Sequence, residues 1–228
     1  MAAFIGSTIY RGSRYGRLHP LSIERVPAVI DLARALGWLG PGKYLSSPRA
    51  KPVALHRFHT ERYVAALQQA EADGAVTEEI AQRHGLGTVS NPVFGEMFRR
   101  PATAVGGGLL AAELVADGGV VHNPGGGTHH GFPDRAAGFC YLNEPVLTIL
   151  RLLDMGLSRI AYVDIDAHHG DGVEAAFHGS DAVRVISVHE ARRWPFTGLA
   201  EDTAGGAALN LPVPRGFNDS EFRALMDD

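Results

Sequence analysis

The sequence predicts an α/β fold in which helices flank a central, mainly parallel β-sheet. Strand-like runs at residues 120–122, 159–166 and 183–188 are separated by helical segments at residues 144–155 and 170–177. Strands that alternate with helices usually form a parallel sheet joined by right-handed crossovers. The nearly continuous apolar run at residues 159–166 further indicates a parallel strand that is covered on both faces.

The composition is that of one globular domain. The chain has 228 residues, of which 45% are hydrophobic, and this length suffices for a single domain over residues 1–228. The formal net charge is -4 and the basic residues are scattered, which argues against a direct nucleic-acid partner. No apolar run approaches the length of a membrane span, and the first residues lack a secretory signal core. We therefore expect a soluble, cytoplasmic protein without a membrane partner.

Cys140 is the only cysteine. It excludes an intrachain disulfide bond and any zinc site built from several cysteines. A metal bound by this chain must therefore use oxygen and imidazole ligands.

Helical periodicity and capping residues predict the first helices. Residues 22–36 form a helix that ends at Gly37. Its apolar positions near helical spacing are Ile23, Val26, Val29, Ile30 and Leu32. Thr60 is the expected N-cap of a helix that runs to about Asp73, and residues 77–83 add a short helix.

A long helix is predicted over residues 94–116, after a loop at residues 85–92. It contains three consecutive glycines at positions 106–108, which indicate close packing although they lower the helix propensity. The helix should end at Gly118 and Gly119.

The C-terminal segment predicts a short strand and a helix. Residues 209–211 are strand-like, and Asn218 with Glu221 resembles a capping box. The apolar side of the helix consists of Phe222, Leu225 and Met226. The chain stops at Asp227 and Asp228, two acids where a helix dipole favours cations, so we expect a chain cut inside a helix.

Three polar residues interrupt the apolar strand at residues 159–166 and its exit. Asp164, Asp166 and His168 stand two positions apart, and residues two apart on a strand share one side. A buried carboxylate needs pairing, protonation or a metal ion. The pattern thus predicts a metal site at the carboxyl end of a parallel strand, where open α/β sheets bind ligands. The alternative is that the acids cap the next helix and the histidines are ordinary surface or core groups.

A second polar cluster follows the strand at residues 120–122. Three glycines at positions 125–127 precede His129 and His130. Seven of the 11 histidines lie between His122 and His189. The two clusters together indicate imidazole chemistry at a metal.

These two segments resemble the histone deacetylase and acetoin-utilisation deacetylase family, especially its bacterial members. The matched segments are residues 123–143 and 162–190, with weaker likeness elsewhere along the chain. The resemblance implies the arginase/deacetylase-type three-layer fold, with its C-terminal part missing here.

The resemblance also implies two cation sites. Asp166 and His168 match two ligands of the catalytic divalent metal, usually Zn²⁺ and alternatively Fe²⁺. A structural monovalent ion, K⁺ or Na⁺, is implied at Asp164, Asp166, the backbone of His168, Ser187 and the backbone of Val188.

The resemblance also implies catalytic roles for two histidines and two aspartates. His129 and His130 match the paired imidazoles, and Asp164 and Asp171 match the carboxylates that hydrogen-bond to them, respectively. Each carboxylate would orient its ring and raise its basicity.

Further positions concern the substrate. Gly138 and Phe139 match a wall of the acyl-lysine tunnel, although Phe139 is alternatively a core aromatic residue. Ser90 occupies a rim position where relatives often carry an aspartate, unless it is an ordinary loop serine. Glu144, where an aspartate is common, is expected to begin a helix.

The implied reaction is hydrolysis of an acetyl amide, with an acetylated protein or a small acetylated amine as substrate. His130 would take the proton of the attacking water, and His129 would orient or stabilise charge. The family's third metal ligand, an aspartate, and its oxyanion-binding tyrosine have no counterpart before Asp228. The chain is therefore expected to be an incomplete, weakly active or inactive fragment of a zinc-dependent deacetylase, whose oligomeric state stays open.

Two other functions compete with this interpretation. An arginase-like ureohydrolase has a similar architecture but needs ligands for two metals. A non-catalytic module that recognises acyl-lysine is the alternative outside enzymes.

Overall fold

The computed structural model describes residues 2–13, 15–16, 19–22 and 24–227. These residues form two compact units, residues 1–156 and residues 157–228. The single domain predicted over the whole chain stays a prediction.

The first unit contains a three-stranded parallel sheet. Its strands are β1 (Ala2–Gly6), β2 (Tyr44–Ser46) and β3 (Val120–His122), in the order β2-β1-β3. β3 is as predicted. The sequence analysis missed β1 and β2, because segments of three to five residues are too short to show a clear alternation.

Seven helices are described in the first unit: α1 (Ile9–Gly12), α2 (Arg25–Ala35), α3 (Pro52–Leu55), α4 (Glu61–Asp73), α5 (Glu78–His84), α6 (Arg99–Val115) and α7 (Glu144–Asp154). A short 3₁₀ turn covers Pro20–Ser22. The Thr60 cap of α4 is confirmed, since its side chain accepts the N–H of Tyr63 over 3.3 Å. Thr77 caps α5 in the same way. Ile23, one of the apolar positions predicted for α2, lies outside the described residues.

α6 begins at Arg99, and the predicted start at residue 94 is wrong. The carboxylate of Glu71 accepts the N–H groups of Phe98 over 2.8 Å and of Arg99 over 3.0 Å. A side chain from α4 thus satisfies the N–H groups at the start of the helix, where negative charge is favourable. This start depends on a residue 27 positions away, which the local pattern does not contain.

The close packing predicted at the glycines of α6 is confirmed. A Cβ atom at Gly106 would lie 1.9 Å from the carbonyl oxygen of Pro48. A Cβ atom at Gly108 would lie 2.1 Å from the carboxylate of Glu144 and from the hydroxyl of Thr148. α6 therefore approaches α7 and the segment after β2 as closely as only glycine allows.

The core of the first unit surrounds Tyr63 and Tyr141, which are both fully buried. The Tyr63 hydroxyl donates to the carbonyl oxygen of Tyr141 over 2.6 Å, and the Tyr141 hydroxyl donates to that of Pro92 over 2.5 Å. Burial raises the pKa of both phenols. These hydrogen bonds satisfy both polar atoms within an apolar core, so the core holds the segment just before α7 in place.

The second unit contains another parallel sheet, with β4 (Ile160–Asp164), β5 (Val183–Glu190) and β6 (Ala208–Val213) in the order β4-β5-β6. Its helices are α8 (Asp171–Ala176) and α9 (Asp219–Asp227). The predicted alternation of strands and helices is confirmed. The capping box of α9 is confirmed too, since Asn218 Oδ1 accepts the N–H of Ser220 over 2.9 Å and Glu221 accepts the N–H of Asn218 over 2.9 Å. Asp228 lies outside the described residues.

Two predictions for β4 are wrong. The strand ends at Asp164, so Asp166 and His168 lie in the following turn. β4 is also not covered on both faces, because Val163 is 54% exposed and Ile165, just after the strand, is 66% exposed. The apolar run alone did not distinguish a covered strand from one with an open face.

Within the described ranges, no helix combines the length and the apolar character needed to cross a lipid bilayer.

Candidate metal-binding and catalytic residues

Asp166 and His168 meet in the turn after β4. The N–H of Asp166 donates to Asp164 Oδ1 over 3.0 Å, and the N–H of His168 donates to Asp166 Oδ1 over 2.8 Å. Each aspartate thus binds the backbone two residues ahead, which is the Asx turn that competes with strand pairing. Asp166 Oδ1 and His168 Nδ1 lie 2.9 Å apart. Successive Asx turns, rather than strand alternation, bring the two predicted ligands together.

Arg193 contacts the same histidine, and the sequence analysis did not predict this contact. Its Nε donates to His168 Nε2 over 3.1 Å, and its Nη1 lies 2.6 Å from Glu190 Oε2. The ring of Trp194 is edge-on to the His168 ring, with centroids 6.1 Å apart. Because Nε2 accepts a hydrogen bond, the neutral ring carries its proton on Nδ1, toward Asp166. No local motif marks this loop, so only the structure identifies Arg193.

Asp164 is the last residue of β4 and lies beside Ser187 of β5. The two residues are in register on β4 and β5, and Ser187 is in register with Asn210 on β6. Asp164 and Ser187 are buried. Asp164 Oδ2 accepts the hydroxyl of Tyr162 over 2.7 Å. The predicted monovalent-ion residues Asp164, Ser187 and Val188 thus occupy neighbouring positions on two adjacent strands.

His169 directly follows His168 in the chain but has different hydrogen-bond partners. Its Nδ1 lies 2.8 Å from the Thr197 hydroxyl, and its Nε2 lies 3.1 Å from Glu174 Oε2. Burial raises the pKa of Glu174, but hydrogen bonds from His169 and Asn210 outweigh it and lower the pKa overall. His169 therefore joins α8 to the loop after β5.

Asp171 begins α8, and its Oδ1 accepts the N–H of Gly172 over 2.9 Å. The structure thus places the predicted carboxylate in the first turn of a helix, where negative charge is favourable.

The donor set after β4 suits a divalent ion only in part. Asp166 and His168 supply one carboxylate and one imidazole, the ligand types that zinc and iron accept. Among residues 2–13, 15–16, 19–22 and 24–227, no group of three histidine, cysteine or acidic side chains could hold a metal ion. The two residues therefore fit a divalent ion as a partial ligand set, and their role as metal ligands stays a prediction.

In the first unit, His129 and His130 form a buried pair. Their ring centroids are 3.9 Å apart, and the residues are 6% and 3% exposed. The N–H of His129 donates to the carbonyl oxygen of Gly127 over 3.0 Å, and Gly127 has a φ of 80°. This left-handed conformation favours glycine and explains the last glycine before the pair.

Glu144 stabilises the glycine segment from the first position of α7. It is buried, and its carboxylate accepts the N–H of Gly127 over 2.8 Å and the hydroxyl of Thr148 over 2.8 Å. Burial raises its pKa, although these hydrogen bonds act in the opposite direction. The prediction that Glu144 begins a helix is confirmed, and its side chain also orders the loop before the histidine pair.

Phe139 stands at the tip of a tight turn. Ala137 and Cys140 exchange two backbone hydrogen bonds of 3.1 and 2.7 Å, and the residues between them, Gly138 and Phe139, have φ values of 51° and 71°. Positive φ at both central residues is the property of a type I′ turn. A left-handed phenylalanine is strained by about 1–3 kcal/mol, so its surroundings must hold it.

Two aromatic residues contact Phe139. The Tyr15 hydroxyl lies 3.3 Å from its carbonyl oxygen, and the His19 ring is edge-on to its ring at 4.6 Å. His19 Nε2 also lies 3.2 Å from the carbonyl oxygen of Ser90. Ser90 itself is exposed. The predicted wall and rim positions are thus connected through His19.

Both units place their polar side chains after parallel strands, as α/β enzymes do. The aspartate–histidine turn and the buried imidazole pair define a class of protein: α/β proteins with a candidate metal-binding turn. The chain belongs to the histone deacetylase family, because the histone deacetylase domain model matches residues 19–228.

Sequence relatives agree with this assignment. The acetoin utilization protein AcuC of Bacillus subtilis is 34% identical over 229 residues, with 97% of this chain and 59% of that protein covered. The AcuC protein of Staphylococcus aureus is 32% identical, with 92% of this chain and 56% of that protein covered. The chain thus spans somewhat more than half the length of these relatives.

Solved structures show the same fold. A histone deacetylase homologue complexed with SAHA has a TM-score of 0.92 and 38% identity, with 97% of this chain and 61% of that chain covered. A homologue from Aquifex aeolicus has a TM-score of 0.93 and 37% identity, with 99% and 63% covered. The prediction of an arginase/deacetylase-type α/β fold is confirmed.

Proposed function

We propose that the protein is a metal-dependent amidohydrolase that removes acetyl groups from acetyl-lysine or related acetylated amines. The observation that carries this proposal is the contact between Asp166 Oδ1 and His168 Nδ1, 2.9 Å apart, in a chain of the histone deacetylase family. An ureohydrolase is disfavoured because the family match is to deacetylases.

Asp166 and His168 would hold the divalent ion, Zn²⁺ or Fe²⁺. When bound, the ion supplies a Lewis acid for the acetyl carbonyl and lowers the pKa of a water ligand. Asp164, Asp166, Ser187 and the backbone of His168 and Val188 would bind K⁺ or Na⁺. The register of Asp164 with Ser187 supports this second site, since a cation there would offset two neighbouring acids.

The imidazole pair would move the protons. His130 takes a proton from the attacking water and later helps to deliver one to the leaving amine. His129 orients the reactants or stabilises charge. In this proposal Asp164 would accept a hydrogen bond from the His129 ring, and Asp171 would accept one from the His130 ring. Each carboxylate would thereby favour one ring tautomer.

Gly138 and Phe139 would form a wall of the acyl-lysine tunnel. The proposal is supported by the position of Phe139 at the tip of a type I′ turn, where the residue is only partly buried. An apolar ring suits the aliphatic stem of an acylated lysine.

The substrate would be an acetylated protein or a small acetylated amine, met in the cytoplasm. We propose no nucleic-acid or membrane partner. We further propose that the 228 residues alone hold zinc weakly and turn over little substrate, because Asp166 and His168 supply only two protein ligands of the three that catalytic zinc sites use.

The test is zinc-dependent release of acetate from an acetyl-lysine peptide by the complete product of the gene that encodes this sequence. His130→Ala should lower kcat by about a hundredfold or more, in line with the loss of a general base. His178→Ala, a change at a histidine outside the proposed site, is the matched control and should retain activity.

Two outcomes would contradict the proposal. Binding of the acetylated peptide with no turnover at any zinc concentration would indicate a recognition module. Turnover that is unaffected by His130→Ala would remove the proposed general base.

A further inference from the structure

Two buried residues hold the backbone that carries the imidazole pair. Asn143 is fully buried, and its Nδ2 donates to the carbonyl oxygens of His129 over 3.2 Å and of Gly131 over 2.9 Å. One side-chain amide therefore binds the carbonyl groups of the two residues that flank His130.

His59 holds the same segment from the other side. Its Nε2 accepts the backbone N–H of Asn143 over 3.0 Å, and its Nδ1 lies 3.0 Å from the carbonyl oxygen of Phe132. Because Nε2 accepts, the ring is neutral and Nδ1 donates. The ring is 1% exposed, so water cannot replace either partner.

We propose that Asn143 and His59 are positioning residues that hold the backbone of residues 129–132, and with it the two imidazole rings, in the orientation that catalysis requires. The inference rests on the proposed function only for the catalytic use of those rings. Neither residue is among the proposed metal ligands, the catalytic imidazoles, the aspartates that would bind them, or the wall of the substrate tunnel.

The competing explanation is that Asn143 merely caps a helix. Its Oδ1 accepts the N–H of Val146 over 3.1 Å at the start of α7. Asn143→Asp separates the two roles, because aspartate caps helices as well as asparagine does. It cannot donate, however, and its charge would face the carbonyl oxygens of His129 and Gly131. A capping role thus predicts little change for Asn143→Asp, whereas a positioning role predicts a clear loss.

The first measurement uses the 228-residue chain with ¹⁵N-labelled histidine and needs no metal or activity. Asn143→Asp should shift the ring nitrogen signals of His129 and His130 relative to the wild type. Thr77→Ala, which removes the cap of α5 without touching residues 129–132, should leave both signals unchanged. Equal signals in Asn143→Asp and the wild type, or equal shifts in both variants, would overturn the proposal.

The second measurement uses the complete gene product. Asn143→Asp should lower kcat by about ten- to a hundredfold with a nearly constant KM, the range found when groups that orient catalytic residues are lost. Asn143→Ser, which keeps the cap but cannot donate to both carbonyls, should fall between this variant and the wild type. If the wild type shows no turnover, the proposed function is contradicted. The ring nitrogen signals of the first measurement then still test whether Asn143 positions the imidazole pair.

If Asn143→Asp does not fold, the wild type itself provides the test. The ¹⁵N shifts of His59 should show a protonated Nδ1 and a bare Nε2 from about pH 5 to about pH 8, where an ordinary histidine titrates. The opposite tautomer would mean that Nε2 cannot accept the N–H of Asn143, and it would contradict the inference.

Discussion

Arg193 donates from its Nε to Nε2 of His168 over 3.1 Å, so a cation already engages one of the two proposed metal ligands. The guanidinium has only N–H donors, so it keeps this contact only while Nε2 of His168 is available to accept a hydrogen bond. Whichever ring nitrogen binds the ion, Arg193 has to move, because the other nitrogen must then carry the ring proton.

Arg193→Met should therefore strengthen zinc binding. We expect an increase in affinity of about three- to tenfold, since a competing charged hydrogen bond and a nearby positive charge are removed. Isothermal titration of the 228-residue chain with Zn²⁺ measures it. Arg192→Met alters the adjacent exposed arginine and should change the affinity little. A weaker affinity in Arg193→Met would show that the arginine orients the ring for the metal instead.

Asp166→Asn should abolish most zinc binding. The substitution replaces a charged ligand by a neutral amide. Loss of a residue that only hydrogen-bonds to a metal ligand already lowers metal affinity by about ten- to a hundredfold. The loss should therefore exceed about tenfold in the same titration. Asp181→Asn removes an exposed carboxylate elsewhere in the second unit and is the control. Equal affinities in Asp166→Asn and the wild type would place the metal at other residues.

His59 should make the stability of the protein depend on pH. Burial lowers the pKa of His59 to about 4, below the ordinary value of 6.5 that it has in the unfolded chain. Between these two values the unfolded state binds a proton that the folded state does not, so stability falls as the pH falls from 6.5 to about 4. Below about 4 both states are protonated and the loss is complete, at roughly 3 kcal/mol.

Urea unfolding at about pH 5 and about pH 7 tests this linkage. The wild type should lose roughly 2 kcal/mol more between the two values than His59→Gln, whose side chain does not titrate. Other groups titrate equally in both proteins and cancel in the comparison. The same pH dependence in both would mean that the His59 ring is charged or accessible in the folded state.

Gly106→Ala should destabilise the first unit. Alanine normally favours a helix interior over glycine by about 1 kcal/mol. Here its Cβ would lie 1.9 Å from the carbonyl oxygen of Pro48, so the backbone must shift. We expect a net loss of about 1–3 kcal/mol, as for other overpacked sites.

Gly12→Ala is the matched control, because Gly12 ends α1 and a Cβ there meets no atom within 4 Å. Thermal unfolding should show a lower Tm for Gly106→Ala and an unchanged or slightly higher Tm for Gly12→Ala. A higher Tm for both would mean that α6 is not packed as closely as described.

Short-range features of this protein were predictable because their causes are short-range. Thr60 and Asn218 cap helices within three residues of themselves, and both caps were predicted from that spacing. The start of α6 was not predictable, since it depends on Glu71 from another helix. The exit of β4 was misjudged because the aspartates could either continue the strand or form Asx turns, and turn formation prevailed.

The sequence by itself determined the α/β class, the deacetylase family and the identity of the candidate ligands and imidazoles. Periodicity and motifs depend only on residues that are close together in the sequence. Only the tertiary structure decided which distant groups support them. Asn143 and His59 are 84 residues apart, and Arg193 and His168 are 25 apart. Such contacts arise when separate elements pack against each other, and no local pattern of side chains encodes the partner at the other end.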